Sequence, residues 1–276
     1  MRSDDTWSNA GMDLLLSGKH ALVTGASRGI GRAIASALAR EGVDVAICSR
    51  HLDEITSTAR ELAAGTGANV VGIAADTGSH AGVEDLVREA SAAVGPIDIL
   101  VNNAATAAGR ARPPKLDEIT RDALLAEIDV KVLGYLFAAQ LVAPAMRERG
   151  WGRIVNVAGL AHRTTGSTIG TIRNVSVAAI TKNLADELGP SGITVNCVHP
   201  GLTRTVRSAD VDPSDEAAVA QAKLIEERIL AANSIHQMID AHDIAPLVAF
   251  LASPLSFVLN GESIEAGGGL PGTIRY

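Results

Sequence analysis

A chain of 276 residues with 47% hydrophobic and 20% charged content can bury one large core, which fits a single α/β domain. The net charge of −7, with Lys and Arg scattered along the chain, argues against nucleic-acid binding. Cys48 and Cys197 fall inside apolar runs, where free cysteine is a small buried hydrophobe, so neither a disulfide framework nor a metal site is expected.

In chain order, residues 1–15 hold two early acids and a short apolar patch, and read as a flexible extension rather than a signal peptide. The domain is expected over 16–276. No run of about 18 apolar residues occurs, so no membrane span is expected and the location is read as cytoplasmic. Strand-length apolar runs at 20–23, 43–48, 70–74, 97–101, 153–157 and 193–198 alternate with helical periodicity at 31–41, 53–63, 81–93, 121–149, 167–188 and 243–252. A seventh strand is expected at 264–266. That alternation predicts a Rossmann-type, doubly wound parallel sheet of about seven strands with helices on both faces. Residues 202–241, including Ser234, His236 and Met238, break the rhythm and read as a substrate lid.

The turn Thr24-Gly-Ala-Ser-Arg-Gly-Ile-Gly31 joins the first strand to the first helix. Glycines there allow a tight bend and let backbone N–H groups approach a pyrophosphate at the positive end of the helix. The alternative is a glycine-rich turn that packs without a ligand.

Together with Asp76, Asp98-Ile-Leu-Val-Asn-Asn-Ala104 and Pro200-Gly201, that turn resembles the short-chain dehydrogenase/reductase family over about 16–269. The resemblance implies a nicotinamide dinucleotide held at Gly25, Ser27, Arg28, Gly29, Ile30 and Gly31. It places Asp76, with Thr77, at the adenine, Asn103 and Ala104 on the adenosine-ribose side, and Pro200, Gly201 and Thr205 at the nicotinamide end. A carboxylate ending the second strand would bind the ribose 2′-OH of NAD, but Ser49 stands there, followed by Arg50. Arg28 and Arg50 suit a 2′-phosphate, so NADP(H) is expected ahead of NAD(H). The plainer reading of Arg50 is a solvated arginine at a strand end.

The family works with an Asn, a Ser, a Tyr and a Lys. The only tyrosines here are Tyr135 and Tyr276, neither has a lysine four residues on, and no serine lies between Ser91 and Ser167. The run Ile180-Thr-Lys-Asn-Leu-Ala-Asp-Glu-Leu188 places Gly170 at the tyrosine and Asn174 at the ribose-holding lysine. Gly152-Arg-Ile-Val-Asn-Val157 places Gly159 at the serine, and Lys131 falls at the asparagine. The stretch between these landmarks is shorter than usual for the family.

Lys131, Tyr135 and His162 are the candidate replacements. Tyr135 would share a helical face with Lys131. A buried lysine titrates near neutrality and can act as acid, base or nucleophile. Against this stand a lysine reaching to solvent, a tyrosine packed between helices and an ordinary loop histidine. Thr164, Thr165, Ser167, Thr168 and Thr171 either bind substrate hydroxyls or cap the next helix.

The expected function is an oxidoreductase on a small organic carbonyl or alcohol with a non-standard proton donor. A lyase or aldolase-like enzyme using Lys131, and an inactive cofactor-binding sensor or partner subunit, are the alternatives. A homotetramer or homodimer is expected through the helices at 121–149 and 167–188.

Overall fold

Seven parallel strands pair in the order β3-β2-β1-β4-β5-β6-β7 in the computed structural model, which describes residues 13–106, 112–205 and 211–272. They are β1 (His20–Thr24), β2 (Asp44–Ser49), β3 (Val70–Ala74), β4 (Ile99–Asn102), β5 (Gly152–Val157), β6 (Ile193–Pro200) and β7 (Ser263–Ala266). The helices are α1 (Gly29–Arg40), α2 (Leu52–Thr66), α3 (His80–Val94), α4 (Arg121–Ile128), α5 (Gly134–Arg149), α6 (Thr168–Leu188), α7 (Glu216–Ala231) and α8 (Ala241–Ala252). Residues 1–12 of the extension expected at 1–15, residues 206–210 of the expected lid, and Tyr276 lie outside the described residues.

Side chains alternate across each strand, so each face of the sheet builds its own core. Ala21 and Val23 pack with Ile34 and Leu38 of α1 and Ile244 and Val248 of α8. Leu22 packs on the opposite face with Leu86 of α3, Val142 and Met146 of α5 and Leu188 of α6. Both cysteines are buried and free, and burial pushes each thiol up to about 12. No helix among the described residues is long and apolar enough to cross a membrane.

The chain reverses direction across the sheet between β1 and β4, which opens a crevice at the carboxyl ends of the strands. Thr24 closes its floor: its hydroxyl accepts from the N–H groups of Asn103 at 2.9 Å and Ala104 at 3.0 Å. Behind it, Asn102 donates to Asn156 at 3.0 Å, and Asn156 donates to Thr181 at 2.9 Å. This buried chain ties β4, β5 and α6 together and is paired along its length, apart from Asn102 Oδ1.

Two elements differ from the sequence expectation. The single helix expected at 121–149 is α4, a π-helical turn at Asp129–Leu133, and α5. The wider turn sits where Gly134 presses on the Thr77 carbonyl, so close that a side chain there would overlap it. Such turns insert a residue into a helix and often mark a functional site. The expected lid contains α7, whose sequence EAAVAQAKLIEERILA is rich in good helix formers but buries only Ile229. Its apolar residues do not form one stripe, so periodicity did not reveal it.

Candidate functional site

The glycine turn lies at the mouth of the crevice. Gly25 has φ +65°, and a Cβ there would meet the Ala104 backbone at 2.7 Å. Asn103 braces the turn, its side-chain amide donating to the carbonyls of Thr24 at 3.0 Å and Gly25 at 2.9 Å. Helix α1 starts after Arg28 without a side-chain cap, which leaves its first backbone N–H groups free to meet an anion.

Around this mouth stand the remaining cofactor candidates. Ser27 accepts the Thr58 hydroxyl through its carbonyl, and Ile30 is half-buried in the first turn of α1. Ser49 donates to the His51 carbonyl at 3.3 Å. Arg28 and Arg50 are exposed, and no carboxylate pairs with either among the described residues. Asp76 is exposed and accepts the Gly78 N–H, while the Thr77 carbonyl backs onto Gly134. Gly201, after Pro200, packs against Gly267 and Leu160, and Thr205 rests on Gly29, beside the glycine turn. The turn therefore has Thr205 at its own side of the crevice, whereas the resemblance assigned that residue to the nicotinamide end.

Deeper in, the positions assigned to the missing groups come together. A Cβ on Gly159 would lie 3.4 Å from the Asn174 amide, and one on Gly170 would lie 3.9 Å from Ala161 and 2.8 Å from the Ser167 hydroxyl. Ser167 caps α6 by accepting the Gly170 N–H at 3.1 Å, so for this residue the capping alternative is the observed one. Asn174 is buried, and its Oδ1 has no hydrogen-bond partner.

Lys131 enters the same corner from the π-helical turn. The residue is 4% exposed, and its ammonium donates to the Ala158 carbonyl at 2.8 Å, next to Gly159. Burial, reinforced by the charge of Arg173, pulls its pKa down to about 7, while Cys197 and Glu127 act weakly in the other direction. Arg173 is itself buried on α6 and is ion-paired to Glu127 of α4, with its Nε unpartnered.

Tyr135 does not join Lys131 as a proton donor. Its hydroxyl is buried and donates to the Val157 carbonyl at 3.0 Å, and burial drives its pKa well above the usual value. The π-helical turn between the two residues changes the helical register that would have put them side by side. Tyr135 is the helix-packing tyrosine of the alternative reading.

His162 is not an open loop histidine either. It lies in a short 3₁₀ turn, Leu160–His162, with its side chain only 6% exposed and its ring stacked on His199 at 3.6 Å between centroids. Nδ1 of His162 and Nδ1 of His199 lie 3.0 and 3.2 Å from one oxygen, the Gly159 carbonyl. A carbonyl only accepts, so both rings carry their proton on Nδ1. Nε2 of His162 is 3.8 Å from Glu265 of β7. Burial, and then the neighbouring His162, pull His199 down to about 4, so its ring is neutral at ordinary pH.

Sequence reading missed His199, Glu265, Arg173 and Glu127. A signal existed for His199 and Glu265, since each is a titratable residue inside a strand whose neighbours are apolar. Arg173 and Glu127 read as surface charges until α4 and α6 meet.

The family model described as enoyl-(acyl carrier protein) reductase matches residues 25–271. Dehydrogenase/reductase SDR family member 4 of Mus musculus is 33% identical over 260 residues, covering 93% of this chain and 88% of the mouse protein. The crystal structure of L-sorbose reductase from Gluconobacter frateurii, complexed with NADPH and L-sorbose, superposes with a TM-score of 0.85. It is 27% identical and covers 95% of this chain and 100% of that one. A short-chain dehydrogenase from Burkholderia cenocepacia in complex with NADP is 36% identical with a TM-score of 0.76, covering 92% and 98%.

Proposed function

The chain belongs to the short-chain dehydrogenase/reductase family, and on that premise we propose that it is an NADP(H)-dependent oxidoreductase in which Lys131 replaces the family's tyrosine as proton donor. The substrate is a small organic carbonyl compound, or the corresponding alcohol in reverse. The observation that carries this reading is the Lys131 ammonium, buried against the Ala158 carbonyl next to Gly159, where burial pulls its pKa down to about 7. A group of that pKa gives and regains a proton at ordinary pH. Gly159, Gly170 and Asn174 cannot do so.

The residues suit the cofactor at each end. Uncapped N–H groups of α1 meet a pyrophosphate, and the unpaired Arg28 and Arg50 favour a 2′-phosphate over a bare ribose. The unpartnered Asn174 Oδ1 accepts from a ribose hydroxyl. When bound, NADPH supplies a hydride. Lys131 then protonates the developing alkoxide. His162 and His199 act behind the site by holding the Gly159 carbonyl.

The test is the loss of carbonyl-dependent NADPH oxidation in Lys131→Met, expected at about 10²- to 10⁴-fold. Unchanged turnover would remove Lys131 from the mechanism.

A further inference from the structure

Positive charge outweighs negative charge around Lys131. An ammonium carries more N–H groups than the single Ala158 carbonyl occupies. Arg173 adds a buried Nε–H with no acceptor. The nearest carboxylate, Glu127, is already ion-paired with Arg173. Asn174, close to the Gly159 position, offers amide donors as well as an unpartnered oxygen. Two buried cations thus share one carboxylate in a corner where dielectric screening is weak.

We propose that this corner binds the carboxylate of the substrate, so that the carbonyl compound taken by the protein is an oxo acid. A carboxylate close to the carbonyl supplies the acceptors and the negative charge that the protein leaves out. Lys131 then donates to a carboxylate oxygen and to the carbonyl oxygen at once, and Arg173 stabilises the same charge from α6. The proposal deepens the reading of Lys131 as the group facing substrate, and it rests on that reading.

Anion binding and protonation are coupled here. An adjacent carboxylate favours the ammonium form, so it raises the lysine's pKa and binding above about pH 7 draws in a proton. The titratable and charged groups around Lys131 are Glu127 on α4, Arg173 on α6, and Cys197 and His199 on β6. Cys197 at about 12 and His199 at about 4 stay neutral through the window in which Lys131 responds.

The experiment is calorimetric titration of the NADPH-loaded protein with oxamate, an unreactive analogue of a 2-oxo acid, and with neutral oxamide. Running each at pH 6 and pH 8 in buffers of different ionisation heat counts the protons taken up. Oxamate should bind at least about tenfold tighter than oxamide, with uptake approaching one proton at pH 8 and little at pH 6. Lys131→Met should lose both the preference and the uptake. Lys131→Arg should keep the preference and lose the uptake, because arginine stays charged in both states. Equal affinity for the two ligands, tighter binding of inorganic phosphate than of oxamate, or uptake that survives in Lys131→Arg would each overturn the proposal. The readout needs no turnover. Oxamate binding with proton uptake in a protein that reduces nothing would sink the redox reading alone, and carbonyl reduction without oxamate preference would sink only the oxo-acid inference.

Discussion

Lys131 carries opposite consequences for activity and for stability. As the acid in carbonyl reduction it must be protonated, so kcat/KM for reduction should fall about tenfold per pH unit above roughly 7, and alcohol oxidation should rise through the same range. Stability follows the other sign. The folded pKa of about 7 lies below the ordinary lysine value of 10.5, so the unfolded chain holds the extra proton between those limits. Stability from this group therefore grows as pH rises from 7 to 10.5, and the penalty for burying the charge is full below 7. Lys131→Met should raise Tm at pH 6, with a gain that shrinks towards pH 10. A Tm difference independent of pH would mean that the ammonium is not buried in solution. At the crevice mouth, Arg50→Ala should weaken NADPH binding while leaving NADH nearly unchanged, because only the former carries the phosphate that an arginine recognises. Equal or tighter binding of NADH by the unmodified protein would overturn the preference.

Elements decide how these residues meet. Gly134→Ala would drive a methyl into the Thr77 carbonyl and disturb the turn that aims Lys131. A cost of about 1–3 kcal/mol is expected, with Tm lowered by about 2–4 °C per kcal/mol. An unchanged Tm would show that Gly134 and the Thr77 carbonyl are further apart than described. Restoring Gly170→Tyr with Asn174→Lys should give little activity on ordinary ketones. Gly159 still offers no hydroxyl, and a side chain at 170 crowds the Ser167 cap of α6. Fast reduction of a generic ketone panel by the unmodified protein would place the proton donor elsewhere. The doubly wound parallel sheet was legible in the sequence because apolar runs of strand length alternate with helical periods, and the glycine turn marks the first crossover; α7 and the break at Asp129–Leu133 were not. The corner around Lys131 was legible only in part. Its position followed from the family resemblance, but the π-helical turn that carries Lys131, the Arg173–Glu127 pair and the stacked His162 and His199 arise from contacts between elements distant in sequence.

At the scale of the whole molecule, two of the groups of exposed apolar side chains among the described residues bear on assembly. Ile172 and Val175 stand on one exposed face of α6, with Ala179 one turn on. Leu255, Phe257 and Val258 form the other, just before β7, with Phe257 69% and Val258 73% exposed. Large apolar side chains gathered on a surface in this way mark a contact site, and burying them offsets the entropy lost on association. The apolar α6 face can pack against the same face of a second copy, as a twofold contact requires. The expected assembly is therefore a homodimer through α6, or a homotetramer that also uses the patch before β7. Light scattering should give twice or four times the chain mass of 28.4 kDa. Val175→Glu should shift the protein to a smaller species, since each copy would bring its new carboxylate to a face shared with its mate. Phe257→Glu should split a tetramer into dimers and leave a dimer through α6 intact. A single 28.4 kDa species at micromolar concentration for the unmodified chain would rule out both assemblies.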